Sequence, residues 1–253
     1  MFRPGLCSVT FRALSCEQVV QLAAEAGLQG IEWGSDVHVP ADQPSRARAV
    51  RQMTRDAGLE VASYGTYYRL GDSDPYPFEA YVESALELGA PRLRIWAGRK
   101  GSDELDVPQW ERLVDDARRV AELASDAGLA IACEFHSHTA TDSATAAVQL
   151  LEAVDHLHCG IYWQATIGMT APQNLAELDM LLPWVVNVHC FHWPTRPQGQ
   201  QPLADGLADW RRYLRPLNAT GKTRWLLLEF TRNNDPHNFR ADAAALQQLL
   251  AGP

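Results

Sequence analysis

The chain of 253 residues exceeds the commonest one-domain length, yet α/β barrels reach this size as a single domain. Its formal net charge is −9, from 31 acids against 22 bases, and no Lys/Arg-rich segment supplies the basic patch that a polyanion partner needs, so nucleic acid is excluded as the expected ligand. No apolar run approaches the 18 residues of a membrane span, no secretory n-region and h-region open the chain, and Cys7, Cys16, Cys133, Cys159 and Cys190 form no C-x-x-C pair; we therefore expect a cytoplasmic protein in a reducing compartment, away from membranes.

A repeated unit organises the chain. Ala24-Glu25-Ala26-Gly27-Leu28 precedes the apolar run at Gly30-Ile31-Glu32-Trp33, and Arg55-Asp56-Ala57-Gly58-Leu59 precedes Glu60-Val61-Ala62-Ser63-Tyr64. Leu88-Gly89-Ala90 then precedes Arg92–Trp96, and Ser125-Asp126-Ala127-Gly128-Leu129 precedes Ala130–Glu134. Each unit reads as an amphipathic helix stopped by glycine, followed by a buried parallel strand. Extending the pattern predicts strands near residues 5–9, 30–33, 60–64, 92–96, 129–134, 159–164, 185–190 and 225–229. Helices are predicted near 15–26, 43–57, 77–88, 108–127, 141–154, 173–182, 207–217 and 238–250, the first opened by a capping box at Ser15-x-x-Gln18. Eight alternating units predict an α/β fold, a (β/α)8 TIM barrel forming one domain over residues 1–253. No G-x-G-x-x-G follows a strand, which removes the main sequence argument for a dinucleotide-binding sheet. The longest connection, about 193–206, is rich in Pro, Gly and Gln and reads either as a lid or as a variable insertion.

Barrel chemistry belongs to the C-terminal ends of the strands. The polar side chains falling there are Glu134, Gln164, His189 and Glu229, at the ends of the fifth to eighth strands. Alternation places Ala130, Ala132 and Glu134 on one face, Asn187 and His189 on another, and Trp225, Leu227 and Glu229 on a third. Two carboxylates and an imidazole crowded at a barrel mouth call for a cation between them, because an unpaired buried charge is costly. Mostly oxygen ligands with one nitrogen suit Mn²⁺ first, with Mg²⁺, Co²⁺ or Zn²⁺ as alternatives. The competing reading is that the two glutamates are rim residues in ordinary salt bridges. Around them, Glu32, His38, Tyr64 and Tyr67 follow strands two and three, Arg94 and Trp96 end strand four, and His136 lies beyond Glu134. Arg196 lies in the loop after strand seven, where barrels often hold phosphate, and Arg232, Asn233 and Asn234 follow strand eight. From these we take His38, Tyr64, Arg94, Trp96, His136 and Arg196 as expected substrate contacts, since aromatic faces and directional donors suit a sugar.

These residues resemble the sugar phosphate isomerase/epimerase family, the xylose-isomerase-like barrels that include ketose 3-epimerases. The resemblance runs from strand one to strand eight and rests on Gly30-Ile31-Glu32-Trp33-Gly34 with Asp36-Val37-His38, Cys133-Glu134-Phe135-His136, Asn187-Val188-His189 and Leu228-Glu229-Phe230. It implies one divalent metal held at Glu134, Gln164, His189 and Glu229, binding adjacent oxygens of a sugar or polyol-derived hydroxycarbonyl and stabilising its enediolate. It further implies that Glu134 and Glu229 exchange the proton that isomerises or epimerises the substrate. At strand six the chain departs from the family pattern: it reads Trp163-Gln164-Ala165-Thr166-Ile167, where the family has Asp followed three residues later by His. That departure leaves open a keto-inositol-type dehydratase, a substrate whose own negative charge completes the site, and a sugar-binding or partner subunit without turnover. A DNA-repair endonuclease of the same fold would need a trinuclear zinc site and a basic surface, and the acidic balance speaks against it. Relatives of this fold frequently pair, so a homo-oligomer is compatible with the resemblance.

Overall fold

A computed structural model describes residues 1–251. Its eight parallel strands are β1 (Phe2–Cys7), β2 (Gly30–Gly34), β3 (Glu60–Arg69), β4 (Arg92–Trp96), β5 (Ala130–Glu134), β6 (Cys159–Trp163), β7 (Val185–Cys190) and β8 (Arg224–Leu228). They close in sequence order, with β8 pairing back onto β1 through Phe2↔Arg224 and Leu6↔Leu228. The helices are α1 (Cys16–Glu25), α2 (Pro44–Asp56), α3 (Phe78–Leu88), α4 (Val107–Asp126), α5 (Ala144–Val154), α6 (Ala171–Leu181), α7 (Leu207–Ala219) and α8 (Pro236–Leu250). The helices supply the crossover connections that parallel pairing of consecutive strands requires. The (β/α)8 barrel is therefore the fold. No helix among the described residues is long and apolar enough to cross a membrane.

Local chemistry explains the element ends. Ser15 caps α1: its hydroxyl accepts the Gln18 N–H at 3.3 Å, while the Gln18 side chain accepts the Ser15 N–H at 2.9 Å. Asp106 and Gln109 do the same for α4. At the far end of α3, Gly89 adopts φ 73°, a left-handed conformation that glycine takes without a Cβ penalty. Strand β3 runs five residues further than its apolar pattern indicates, because Arg69 still pairs with Trp96 after a register shift.

Two apolar layers hold the barrel. The outer layer, between strands and helices, contains Ile31, Trp33, Ile95, Ile131, Ile161, Val188 and Leu226. The barrel interior is a separate cluster of Cys7, Val9, Ala62, Ala132, Tyr162, Trp225 and Leu227. Gly30 lets Trp225 cross the bottom of the interior, since a Cβ at that position would fall 2.5 Å from the indole ring. Two register shifts decide what points inward. One, between Ile31 and Glu32, sets Glu32 opposite Ser63; the other, between Ile161 and Tyr162, sets Tyr162 opposite Asn187. Asn187 then donates to the Tyr162 hydroxyl at 2.8 Å and accepts the Trp225 N–H at 3.1 Å. This plug of satisfied polar groups underlies His189, two residues further along β7.

Candidate active site

Above the plug the C-terminal mouth opens into a cavity of about 360 Å³. Its floor carries Glu134, Gln164 and Glu229, and its walls include Tyr67, Trp96, His136, Trp193, Arg196 and Phe230. Tyr67 stacks on Trp96 with ring centroids 6.2 Å apart, and His136 meets the edge of Trp96 at 4.9 Å. Glu229 lies one residue past β8, and the next residue, Phe230, turns the chain at φ 57°. A bulky side chain rarely takes that conformation, and its N–H is held there by the Thr10 hydroxyl at 3.1 Å.

His189 sits directly beneath the floor and is fully buried. Its Nδ1 is 3.3 Å from Glu229 Oε2 and 3.7 Å from Glu134 Oε1, without forming a hydrogen bond to either. Its Nε2 is 3.3 Å from Glu32 Oε1. Arg94, buried between β3 and β5, pairs through Nη1 with Glu134 and approaches Glu32 Oε1 with Nε at 3.3 Å. Cys7 Sγ completes the group, 3.8 Å from Glu32 Oε1. Burial alone would raise the Glu134 carboxyl, but attraction to Arg94 and the contact with His189 outweigh it and hold the group at about 2. Glu32 is likewise held at about 2: His189 and Arg94 overcome its burial. Burial also disfavours the His189 cation, yet Cys7, Glu229 and Glu32 around it push its pKa well above the ordinary histidine value.

The donor set fits a divalent cation. Three carboxylates, Glu32, Glu134 and Glu229, face one guanidinium, which leaves two formal negative charges for a cation to match when His189 is neutral. The orphaned His189 Nδ1 points between two of those carboxylates. Gln164 donates its Nε2–H to the Phe135 carbonyl at 2.8 Å. A carbonyl only accepts, so this bond fixes the amide orientation and leaves Oε1 as the free ligand atom. Cys7, His189 and Glu229 also bring one ligand atom each within 4.8 Å of one another.

The structure gathers six of the residues expected from sequence around the cavity floor or wall: Glu134, Gln164, Glu229, Trp96, His136 and Arg196. His189 joins them from below. Arg94 borders the cavity as well, but its guanidinium is engaged with Glu134 and Glu32, so it organises the floor. Two residues expected as substrate contacts lie away from the cavity. Tyr64 lies on the outward face of β3, its hydroxyl donating to the Val39 carbonyl at 2.6 Å and its ring packed toward Tyr81. His38 is buried against Trp33 with Nε2 hydrogen-bonded to the Leu14 carbonyl at 3.1 Å. Neither lines the cavity. For Tyr64 the register shift in β2–β3 is the reason, since it turns Ser63 inward beside Glu32 and leaves Tyr64 facing the helices; His38 lies in the turn beyond β2. Cys7 was not among the expected site residues, although the alternation of Gly5 and Cys7 along β1 already aimed it inward.

Fold and site together define a closed barrel with a carboxylate–imidazole centre at its catalytic end. The chain belongs to the xylose isomerase-like TIM barrel family, whose sequence profile matches residues 20–249. It is 26% identical to 3-dehydroshikimate dehydratase of Bacillus anthracis over 197 residues, 73% of this chain and 70% of that protein. In structure it resembles the probable 3-DHS dehydratase involved in petrobactin synthesis from Bacillus anthracis, with a TM-score of 0.77, 20% identity, and 98% and 99% of the two chains covered. It also resembles D-psicose 3-epimerase, with a TM-score of 0.70, 14% identity and 97% of each chain covered.

Proposed function

We propose that the chain is a divalent-metal-dependent lyase that eliminates water from a small carboxylated cyclic hydroxyketone of the 3-dehydroshikimate kind. The observation that carries this reading is the Arg94 clamp on Glu134. Two-base epimerisation needs both floor carboxylates to take and return protons, and a carboxylate paired with a buried guanidinium is a poor base. Glu229 faces the cavity without a guanidinium partner and is the base of a one-base reaction. The 26% identity to a 3-dehydroshikimate dehydratase supports the same choice.

Glu134, Gln164 through Oε1, His189 through Nδ1 and Glu229 would hold the cation, Mn²⁺ or Mg²⁺ being the best match to a mostly oxygen set. When bound, the cation supplies Lewis-acid polarisation of the substrate carbonyl. Glu229 takes the proton from the carbon beside that carbonyl. The C–H electron pair becomes a ring double bond, the C–O bond of the neighbouring hydroxyl breaks, and the departing oxygen takes a proton to leave as water. Glu229, now carrying the C–H proton, returns it to the departing oxygen, while His136, which borders the cavity and donates Nδ1–H to the Ser137 carbonyl at 2.7 Å, keeps Nε2 as an acceptor for a substrate hydroxyl. Trp96, Tyr67 and Trp193 form an apolar wall that limits competing water. With 3-dehydroshikimate, loss of water and enolisation give an aromatic dihydroxybenzoate. We expect ultraviolet absorbance to rise when the protein meets this substrate with Mn²⁺ and to stop on adding a chelator. Turnover that ignores the chelator, or none with any divalent metal, would sink the proposal.

Substrate charge is read by Arg196. Arg12 is committed to Asp36 and Tyr67, Arg69 to the Gly98 carbonyl and the Trp96 ring, and Arg94 to the two glutamates. Arg196 reaches the wall with only a 3.4 Å contact to the Ser137 hydroxyl. A hydrogen bond to a charged group contributes about 1.5–3 kcal/mol, so Arg196→Ala is expected to raise KM for a carboxylated substrate by about 10–100-fold while kcat changes less. An unchanged KM would remove Arg196 from substrate recognition.

A second reading, epimerisation or isomerisation of a ketose, is favoured by one feature: Glu134 and Glu229 both approach Nδ1 of His189, at 3.7 and 3.3 Å. Solvent deuterium entering a ketose without loss of water would select it.

A further inference from the structure

We infer that Glu32 is a positioning residue that fixes which nitrogen of His189 faces the cation. This rests on the reading of His189 as a ligand of that cation. An imidazole offers its lone pair from one nitrogen only, and the hydrogen bond made by the other nitrogen decides which. Here Glu32 Oε1 lies 3.3 Å from Nε2, on the side of the ring away from Glu229 and Glu134. Neutral His189 therefore carries its proton on Nε2, donated to Glu32, and presents the Nδ1 lone pair to the site between those two carboxylates.

Glu32 is itself held for the task. The Ser63 hydroxyl donates to Oε2 at 2.6 Å, and Arg94 Nε and Cys7 Sγ approach Oε1 at 3.3 and 3.8 Å. The register shift that sets Ser63 opposite Glu32 makes the first of these possible. Glu32 is 2% exposed and lines no part of the cavity, so it meets neither substrate nor solvent and acts only through its neighbours. A glutamate that served merely as a counter-charge for Arg94 would leave the orientation of His189 unaffected.

The experiment uses the whole chain. Mn²⁺ affinity is measured by calorimetry for wild type, Glu32→Gln and Ser63→Ala, and the Zn²⁺-loaded proteins are compared by imidazole ¹⁵N–¹H spectroscopy. Loss of such an outer partner typically weakens a metal site by about 10–100-fold, which is the change expected for Glu32→Gln, with a smaller loss for Ser63→Ala. The wild-type spectrum should show a protected Nε2–H on His189 that exchanges faster with solvent in Glu32→Gln. Affinity and spectrum unchanged in Glu32→Gln would overturn the inference, as would a wild-type ring carrying its proton on Nδ1. If Glu32→Gln fails to fold, the wild-type spectrum and Ser63→Ala decide on their own. Failure of the wild type to take up any cation would instead strike the ligand reading itself, a result distinct from intact uptake that ignores Glu32.

Discussion

Glu229→Gln is expected to lower kcat by about 10²–10⁴-fold, the usual contribution of a positioned general base, while leaving KM close to that of the wild type. The substitution keeps the volume and an oxygen that can still face His189 Nδ1, 3.3 Å from Glu229 Oε2, so cation uptake should persist. Glu229 is the floor carboxylate with no guanidinium partner, and it stands at a strained turn into Phe230 that aims it at the cavity. Steady-state kinetics with 3-dehydroshikimate and Mn²⁺ make the comparison. Full turnover in Glu229→Gln would transfer the base role elsewhere, and a loss confined to KM would make Glu229 a binding group.

The second large effect falls on stability. Arg94→Leu removes the guanidinium shared by Glu32 and Glu134, both of which are buried. Breaking a buried ion pair by deleting one partner costs about 3–5 kcal/mol, because the surviving charge stays buried without compensation. For a chain of this size that corresponds to a Tm lower by about 6–20 °C. Part of the loss should return on adding Mn²⁺, since a cation seated among Glu134, His189 and Glu229 supplies the missing positive charge. Thermal unfolding with and without Mn²⁺ checks both parts. A variant as stable as wild type would show that the buried cluster does not depend on Arg94.

The barrel was legible because its signal is periodic and repeated. The first four helices close on a glycine and each strand is a short apolar run, so the alternation survives errors of a few residues at any one boundary. Alternation along β5, β7 and β8 also pointed Glu134, His189 and Glu229 toward one mouth, and the structure assembles them there. Partner identity was not legible. Arg94 ends a strand, as a substrate contact would, and only the three-dimensional packing reveals that Glu134 and Glu32 already occupy it. Tyr64 lies away from the cavity for a related reason: a one-residue register shift between β2 and β3 exchanges inward for outward, and nothing in the residue types of that stretch announces it. Glu32 meets His189 across more than 150 positions of sequence, a pairing that only the closed barrel makes.

Gln164 shows how the site adjusts as a set. The acid that the family pattern carries on strand six would add a negative charge to a floor that already holds Glu134 and Glu229. An amide donates to the Phe135 carbonyl and still offers an oxygen. With Glu32 counted, the three carboxylates then match one divalent cation plus Arg94.

The proposed lyase chemistry depends on that cation. The most direct measurement is calorimetric titration of the chelator-treated chain with Mn²⁺, with His189→Ala alongside. One Mn²⁺ per chain in the wild type, lost in His189→Ala, is the result expected from an orphaned, buried Nδ1 facing two carboxylates. No uptake by the wild type would mean that Arg94 and His189 alone neutralise the glutamates, and the proposed lyase chemistry would fall with the cation.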